Sequence, residues 1–154
     1  MRAVIQRAKS GSVTVDSKIV SQISHGLVVL IGVGHEDTPE DVEKVANKIV
    51  KTKLWPSVDG TQQWKQSVLD VGGDVLCVSQ FTLFAKVKKG QKPDFHNAAK
   101  GPQAKELYDQ VLAKIQAALP EGRAVKDGVF GAMMDVALVN DGPVTIQYDT
   151  KNDK

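Results

Sequence analysis

The sequence predicts a single α/β domain over residues 1–154, a layered α/β/β domain with two main helices and mixed, largely antiparallel strands. Many short apolar runs are typical of strands, whereas only two segments carry apolar residues at helical spacing. Two helices cannot cover both faces of a sheet that contains this much apolar sequence. One face is therefore expected to lie on helices and the other on further strands.

The N-terminal part of the chain is predicted to form strands. Residues 2–8 alternate imperfectly between apolar and polar and predict one strand. Apolar residues at 13–15 and 19–23, on either side of Asp16-Ser17-Lys18, predict a hairpin. Residues 26–33 form a continuous apolar run, which is typical of a strand covered on both faces.

Two helices are predicted. Thr38 is a suitable N-cap, Pro39 suits the first helical position, and the acidic residues that follow favour the positive end of the helix dipole. The second helix should begin near Gly101-Pro102 and end at Pro120. Each helix has one apolar face, formed by Val42, Val45, Ala46, Ile49 and Val50 in the first and by Ala104, Leu107, Tyr108, Val111, Leu112, Ile115 and Leu119 in the second.

The remaining strands lie between and after the helices. A turn at Gly72-Gly73-Asp74 leads into the apolar run 75–78. Three further strands are predicted near residues 123–127, 134–139 and 144–148, with a turn at Asn140-Asp141-Gly142-Pro143 between the last two.

Composition narrows the class of protein. The apolar fraction of 42% and charged fraction of 25% are ordinary for a globular protein, and the net charge of +2 does not by itself indicate nucleic-acid binding. No apolar run approaches the ~20 residues of a membrane helix, so no membrane partner is expected. The sole cysteine, Cys77, lies in an apolar strand and cannot form an internal disulfide. We therefore expect a cytoplasmic protein.

The sequence lacks the residue patterns that several common catalytic mechanisms require. His25, His35 and His96 show no metal-ligand spacing with a cysteine or carboxylate, and the chain contains neither a Gly-x-Ser-x-Gly elbow nor a P-loop. A metal hydrolase and a Ser-His-Asp hydrolase are thus poorly supported, and we expect no metal and no cofactor.

Ser79-Gln80-Phe81-Thr82, at the end of an apolar strand, is the best candidate catalytic segment. Ser79 and Thr82 could be nucleophiles, but no activating base is visible, and the favoured alternative is that their hydroxyls bond to nearby backbone. Gln80 can donate or accept hydrogen bonds, and main-chain N–H groups around Gln80 and Phe81 could form an oxyanion hole.

Lysines cluster in the following loop, at Lys86, Lys88, Lys89 and Lys92. Lysine suits sequence-independent contact with phosphates better than bidentate recognition. A solvated loop without a partner explains the same residues, and from sequence alone it is the favoured interpretation.

Four segments in order resemble the D-aminoacyl-tRNA deacylases: the opening Met1-Arg2-Ala3-Val4-Ile5-Gln6-Arg7, the Ser79-Gln80-Phe81-Thr82 stretch, the run Phe130-Gly131-Ala132-Met133, and Gly142-Pro143-Val144-Thr145. The resemblance extends from residue 1 to about residue 148. It implies the layered fold and a homodimer. It also implies cofactor-free hydrolysis of the ester between a D-amino acid and tRNA.

The same resemblance implies roles for individual residues. Gly142 and Pro143 would form a cis pair whose carbonyls face the substrate's amino acid in the partner subunit's site. Phe130 would contact the terminal adenine, and Arg7 would help to hold the Gly-Pro loop. A hydroxyl of the substrate's ribose would assist the attacking water. Without the resemblance, Gly142-Pro143 would be an ordinary turn, Phe130 a core residue and Arg7 a surface arginine.

Two rival functions remain open from the sequence. One is an acyl-ester hydrolase with Thr82 or Ser79 as a covalent nucleophile, and the other is a nucleic-acid-binding module without catalysis. The sequence also departs from the family at Lys92-Pro93, where Arg-Pro is expected. A related deacylase branch has Pro-Gln-Ala-Thr in the first motif, so Ser79 and Phe81 match the D-specific branch.

Overall fold

The computed structural model describes residues 1–152. The chain forms a six-stranded sheet, two α-helices and one short 3-10 helix within that range. In chain order these are β1 (Arg2–Val15), β2 (Lys18–Ile23), β3 (Gly26–Gly32), α1 (Pro39–Lys51), β4 (Asp74–Ser79), the 3-10 helix (Phe81–Phe84), α2 (Gly101–Ala118), β5 (Lys126–Asp127) and β6 (Asp135–Asp149).

The sheet is organised around β1. The strand order is β2-β1-β3-β4-β5, and β6 also pairs with β1. The first half of β1 pairs with β3 and its second half with β2, while β6 runs along the other edge, and all three pairings are antiparallel. The β3–β4 and β4–β5 pairings are parallel. The prediction of a mixed, largely antiparallel sheet is confirmed.

Alternate residues of the central strands supply two separate cores. Leu27, Val29 and Ile31 of β3 pack in the core that contains α1 and α2, while Val28 belongs to a second core. That second core is completed by Ala8, Val13, Ile23, Leu76 and Val78. Strands thus cover one face of β3 and β4 while helices cover the other, and the predicted α/β/β arrangement, with β3 covered on both faces, is confirmed.

Gly11 lets the two strand layers approach closely. A Cβ atom at this position would lie 2.7 Å from Cγ2 of Val28. A larger residue would therefore force the second half of β1 away from β3.

Both helices lie where the sequence predicts them. The main-chain N–H of Thr38 donates to Oδ2 of Asp41 at 2.9 Å, which caps the first turn of α1 after an extended Thr38. The predicted apolar faces are turned inward: Val42, Val45, Ala46, Ile49 and Val50 of α1 and Ala104, Leu107, Tyr108, Val111 and Ile115 of α2 are buried, and Leu112 and Leu119 pack half-buried against the same core. No helix in the described part of the chain has both the length and the apolar character needed to span a membrane.

Three strand predictions need correction. Residues 2–8 and 13–15 belong to one strand, β1, and the strand predicted at 123–127 is reduced to Lys126–Asp127. The turn predicted at residues 140–143 lies within β6, because both flanking runs pair with the same strand. Gln6 pairs with Thr145 and Ala8 pairs with Asn140, so residues 141–144 bulge out opposite Arg7.

Candidate active site

A pocket of about 510 Å³ opens where β4 ends. It lies between the 3-10 helix, the start of α2 and the segment that leads into β6. Its walls are formed by Val33, Val78, Ser79, Gln80, Phe81, Ala99, Gly101, Ala104, Phe130, Gly131, Ala132, Met133, Met134 and Val136. Four residues singled out from the sequence, Ser79, Gln80, Phe81 and Phe130, therefore meet in one cavity.

The end of β4 positions the first catalytic candidates. Ile31 of β3 pairs with Ser79, and the main-chain N–H of Gln80 donates to the carbonyl of Ile31 at 2.8 Å. The chain then turns into the 3-10 helix, which begins at Phe81. The first N–H groups of a helix have no acceptor within it. The N–H of Gln80, expected to take part in an oxyanion hole, is already bonded to Ile31, whereas the N–H groups of Phe81 and Thr82 are suited to bind an oxygen of a ligand.

Thr82 lies next to the pocket and not among its lining residues. Its Oγ1 accepts a hydrogen bond from Nε2 of Gln80 at 2.5 Å. The hydrogen bond that the structure shows for this hydroxyl comes from the side-chain amide of Gln80, two residues away. The side chains of Gln80 and Thr82 thus orient one another at the start of the 3-10 helix.

Ionisable side chains are absent from the lining of the pocket within residues 1–152. Of the histidines, His25 and His35 lie beside turns, and His96 is exposed and paired with Asp94. The described residues contain no group of three or more His, Cys, Asp or Glu side chains that could hold a metal ion. A group that binds here meets main-chain N–H groups, an amide, a hydroxyl and apolar walls.

Two aromatic residues flank the pocket in different ways. The Phe81 side chain is 55% exposed, and its ring lies edge-on to Phe95 with 5.1 Å between centroids. Phe130 is half-buried, with its ring centroid 6.0 Å from that of Tyr108 and 5.8 Å from Nζ of Lys105. Phe130 therefore both packs against the core and lines the pocket.

Tyr108, whose ring lies beside Phe130, forms a hydrogen-bonded pair with Asp127. The hydroxyl of Tyr108 donates to Oδ1 of Asp127 at 2.5 Å. Burial raises the pKa of Tyr108 far above its usual range and also raises the pKa of the Asp127 carboxyl. The phenol therefore stays neutral and keeps its proton for this hydrogen bond.

The loop that contains Gly142 and Pro143 is held from β1. Nε of Arg7 lies 3.2 Å from Oδ2 of Asp141. Nδ2 of Asn140 donates to the carbonyls of Arg7 at 2.9 Å and Val144 at 3.1 Å. These contacts close the bulge at both ends and anchor it to the sheet.

Gly142 and Pro143 are exposed at the tip of this loop and are joined by a cis peptide bond. Gly142 has φ of 116°, and a Cβ atom there would lie 2.9 Å from Cγ2 of Val144. Only glycine adopts this backbone readily. Neither residue lines the pocket of its own chain, and neither does Arg7, which holds the loop from outside the cavity.

Arg2 supports the 3-10 helix, a role that the sequence analysis did not identify. Its Nη1 donates to the carbonyl of Leu83 at 2.8 Å, and its guanidinium lies 4.5 Å from the ring centroid of Phe84. Its Nε also donates to Oδ2 of Asp149 at 3.0 Å. The only signal in the sequence was the position of Arg2 within the N-terminal motif. Phe95 was likewise missed, and Asn140 was identified only as part of the predicted turn, because the contacts of both residues depend on tertiary structure.

Comparison with known proteins identifies the family of this chain. A family model described as D-Tyr-tRNA(Tyr) deacylase matches residues 4–149. A Yarrowia lipolytica protein named D-aminoacyl-tRNA deacylase is 97% identical over 154 residues, covering 100% of both chains. A Schizosaccharomyces pombe protein of the same name is 57% identical over 151 residues, covering 98% of this chain and 99% of its own.

A solved structure named c-Myc DNA Unwinding Element Binding Protein matches with a TM-score of 0.91 and 41% identity. The match covers 97% of this chain and 99% of that one. Sequence and fold together show that this chain belongs to the D-Tyr-tRNA(Tyr) deacylase family.

Proposed function

We propose that this protein hydrolyses the ester bond of D-aminoacyl-tRNA and releases free tRNA and the D-amino acid. The observation that carries the proposal is the pocket, which places the start of the 3-10 helix opposite Phe130. The family membership and the names of the relatives support the same activity.

The substrate is placed by the two walls of the pocket. The terminal adenine stacks on Phe130, since aromatic rings are common platforms for unpaired bases. The ester carbonyl then points toward the main-chain N–H groups of Phe81 and Thr82. These donors stabilise the negative charge that develops on the carbonyl oxygen when water attacks.

The absence of an ionisable side chain among the described lining residues limits what the protein contributes to proton transfer. An aminoacyl ester is already activated, so positioning and oxyanion stabilisation supply most of what its hydrolysis needs. The neighbouring 2′-hydroxyl of the ribose orients the attacking water and takes part in proton transfer. Thr82 positions Gln80 and forms no covalent intermediate.

A second copy of the chain completes the site. Gly142 and Pro143 are exposed and firmly held, yet they lie outside the pocket of their own chain. Inserted into a partner's pocket, their carbonyls would leave room for a hydrogen atom on one side of the substrate's α-carbon. A side chain in the same position would clash with them. Fixed backbone atoms thereby reject L-residues whatever the side chain.

Exposed apolar residues around the pocket support the homodimer. Phe81 is 55% exposed, Met133 is 93% exposed and Val139 is 53% exposed. Phe81 and Met133 line the pocket, and Val139 directly precedes Asn140 at the base of the bulge. Apolar surface of this kind at a cavity mouth favours burial against another protein chain.

The proposal is tested by measuring chiral selectivity on substrates that carry different amino-acid side chains. D-Tyr-tRNA and D-Asp-tRNA should both be hydrolysed, while L-Tyr-tRNA survives under the same conditions. Comparable cleavage of the L-ester would refute the backbone filter. A trapped acyl-enzyme would instead favour a hydrolase that uses Ser79 or Thr82, and tight RNA binding without turnover would favour a binding module.

A further inference from the structure

A strongly basic loop adjoins the pocket. The basic loop, residues 86–96, carries four exposed lysines, Lys86, Lys88, Lys89 and Lys92. In the described part of the chain none of these four forms an ion pair. The carboxylate that they flank, Asp94, is already paired with His96. The loop therefore presents positive charge that the protein itself does not neutralise.

Four lysines elsewhere in the described part of the chain, Lys44, Lys105, Lys114 and Lys151, have acidic partners. Lys105 lies 2.8 Å from Asp109, and Lys114 lies 2.5 Å from Glu43. Four unpaired like charges in one short loop repel each other and lower the stability of the folded state. Such an arrangement is expected where an anionic partner supplies the missing charge.

Both ends of the basic loop are tied to the pocket. Lys86 and Asp94 exchange two main-chain hydrogen bonds of 2.8 Å, so the loop is closed at its base. The ring of Phe95 packs against Phe81, which lines the pocket. Just beyond, the N–H of Ala99 donates to the carbonyl of Val33 at 2.9 Å, and both of these residues also line the pocket.

The loop surface is concave. A hollow of about 330 Å³ is lined by Lys86, Lys88, Lys89, Asp94 and His96. Three lysine side chains therefore converge on one space that is open to solvent, which is a suitable arrangement for binding phosphate oxygens.

We propose that the basic loop binds the phosphates of the single-stranded 3′ end of the RNA whose terminal nucleotide occupies the pocket. This inference rests on the proposed function and extends it to the RNA upstream of the ester. Each lysine lies within eight residues of Phe81 or Ala99, which line the pocket, so its Cα is at most roughly 28 Å from the pocket wall. At ~3.4 Å per stacked nucleotide this upper bound corresponds to about eight nucleotides.

Lysines, rather than arginines, indicate which part of the RNA is contacted. A lysine ammonium is a flexible point charge, whereas arginine is preferred for bidentate recognition of bases. Phosphate contact fixes the register of the strand without reading its sequence. The basic loop would thus hold any tRNA 3′ end, as an enzyme that acts on many tRNAs requires.

The test compares two triple variants that remove the same charge. Lys88→Gln/Lys89→Gln/Lys92→Gln alters the basic loop. Lys44→Gln/Lys48→Gln/Lys51→Gln alters the exposed face of α1, away from every lining residue of the pocket. The kinetic constants kcat and KM for D-Tyr-tRNA are measured over a salt series. D-tyrosyl-adenosine, which lacks the upstream phosphates, is measured in parallel.

We expect the loop variant to raise KM for D-Tyr-tRNA about tenfold at low salt and to leave kcat unchanged. The slope of log KM against log salt should fall by roughly 2, because each phosphate contact on a single strand contributes ~0.7. Hydrolysis of D-tyrosyl-adenosine should not change. The α1 variant should match the unmodified protein, and Lys88→Arg/Lys89→Arg/Lys92→Arg should retain the original KM.

Equal effects of the two triple variants would overturn the proposal, and so would a loss of activity on D-tyrosyl-adenosine in the loop variant. Binding is also measured by fluorescence anisotropy with an RNA carrying a non-hydrolysable 3′-amide-linked D-tyrosine. A blunt-ended RNA or DNA duplex is measured in the same assay. The proposal is contradicted if this duplex binds as well as the amide-linked RNA and loses the same affinity when the lysines are replaced.

The binding assay separates this inference from the proposed function. If the unmodified protein binds the amide-linked RNA through the lysines but cleaves no ester, only the proposed function fails. If it cleaves D-Tyr-tRNA but the loop variant binds the probe normally, only the basic-loop inference fails.

Discussion

The guanidinium of Arg2 donates a hydrogen bond from Nη1 to the main-chain carbonyl of Leu83 at 2.8 Å. This contact links the first residue of β1 to the 3-10 helix that begins with Phe81. Arg2 therefore fixes the turn whose N–H groups are proposed to bind the ester oxygen, although it does not line the pocket itself.

Replacing Arg2 by alanine should lower kcat for D-Tyr-tRNA by about tenfold with little change in KM, because a loosened oxyanion site costs roughly 1.4 kcal/mol in the transition state. Steady-state kinetics on the purified variant measure both constants. Asp149→Asn is the matched control, since it weakens the ion pair and leaves the bond to Leu83 in place. A rise in KM alone, or equal losses in both variants, would contradict this positioning role.

Replacing Thr82 by alanine should leave substantial activity, within about tenfold of the unmodified protein, since no described residue that lines the adjacent pocket is a base that could make its hydroxyl a nucleophile. A D-aminoacyl-tRNA with a 2′-deoxy terminal ribose, acylated on the 3′-oxygen, should hardly turn over. Single-turnover hydrolysis measures both, with RNA binding as the control. The covalent alternative would be established if the unmodified protein cleaved the deoxy substrate at the normal rate while a folded Thr82→Ala protein lost several orders of magnitude of activity.

Mixing two inactive variants should restore activity if the site is shared between subunits. Phe130→Ala damages the pocket, and Gly142→Ala damages the loop, because a side chain at φ of 116° is strained. Co-expressed, the two chains should regain about a quarter of the full rate, since half of the dimers are mixed and each carries one intact site. Activity of purified mixed dimers no greater than that of the separate variants would rule out a shared site.

Acid should destabilise the fold in part through Asp41, which is buried at the start of α1. Burial by itself raises the pKa of this carboxyl. Hydrogen bonds from the Thr150 hydroxyl, the Thr38 N–H and the Lys151 ammonium outweigh that effect and hold the pKa well below its ordinary value. A depressed pKa in the folded state stabilises the protein above the unfolded pKa of about 3.9, and this stabilisation is lost as the pH falls below it.

Asp41→Asn should therefore lower the free energy of unfolding by about 2 kcal/mol at pH 7 and by less at pH 3. Urea unfolding at the two pH values gives the comparison. Glu40→Gln, at the exposed neighbouring position of the same helix turn, is the control and should change stability little at either pH. An equal loss at pH 3 and pH 7 for Asp41→Asn would contradict the assignment.

The layered fold was predictable because burial leaves a direct pattern in the sequence. The unbroken apolar run of β3 requires cover on both faces, and the two helices can supply only one of them. The continuation of β6 through residues 140–143 was not predictable. Asn-Asp-Gly-Pro has the composition of a reversing turn, and only the pairing of both its flanks with β1 shows that it is a bulge.

The site was predictable only in part, for a related reason. Ser79, Gln80, Phe81 and Phe130 lie in marked sequence contexts, and they meet in one pocket. The contacts of Arg2 with Leu83 and of Phe95 with Phe81 join residues whose side chains follow no local pattern. Their importance depends on distances in the folded chain, which residue types alone do not encode.

The order in which β1 gains its three partner strands also constrains how the chain can fold during synthesis. Its pairings with β2 and β3 are available soon after those residues leave the ribosome, but the whole opposite edge waits for β6, near the end of the chain. A nascent chain that stops before residue 135 therefore carries an open strand edge beside uncovered apolar residues, the condition that favours aggregation. An N-terminal fragment that lacks β6 is therefore expected to be unstable, and folding should be completed only after β6 has left the ribosome.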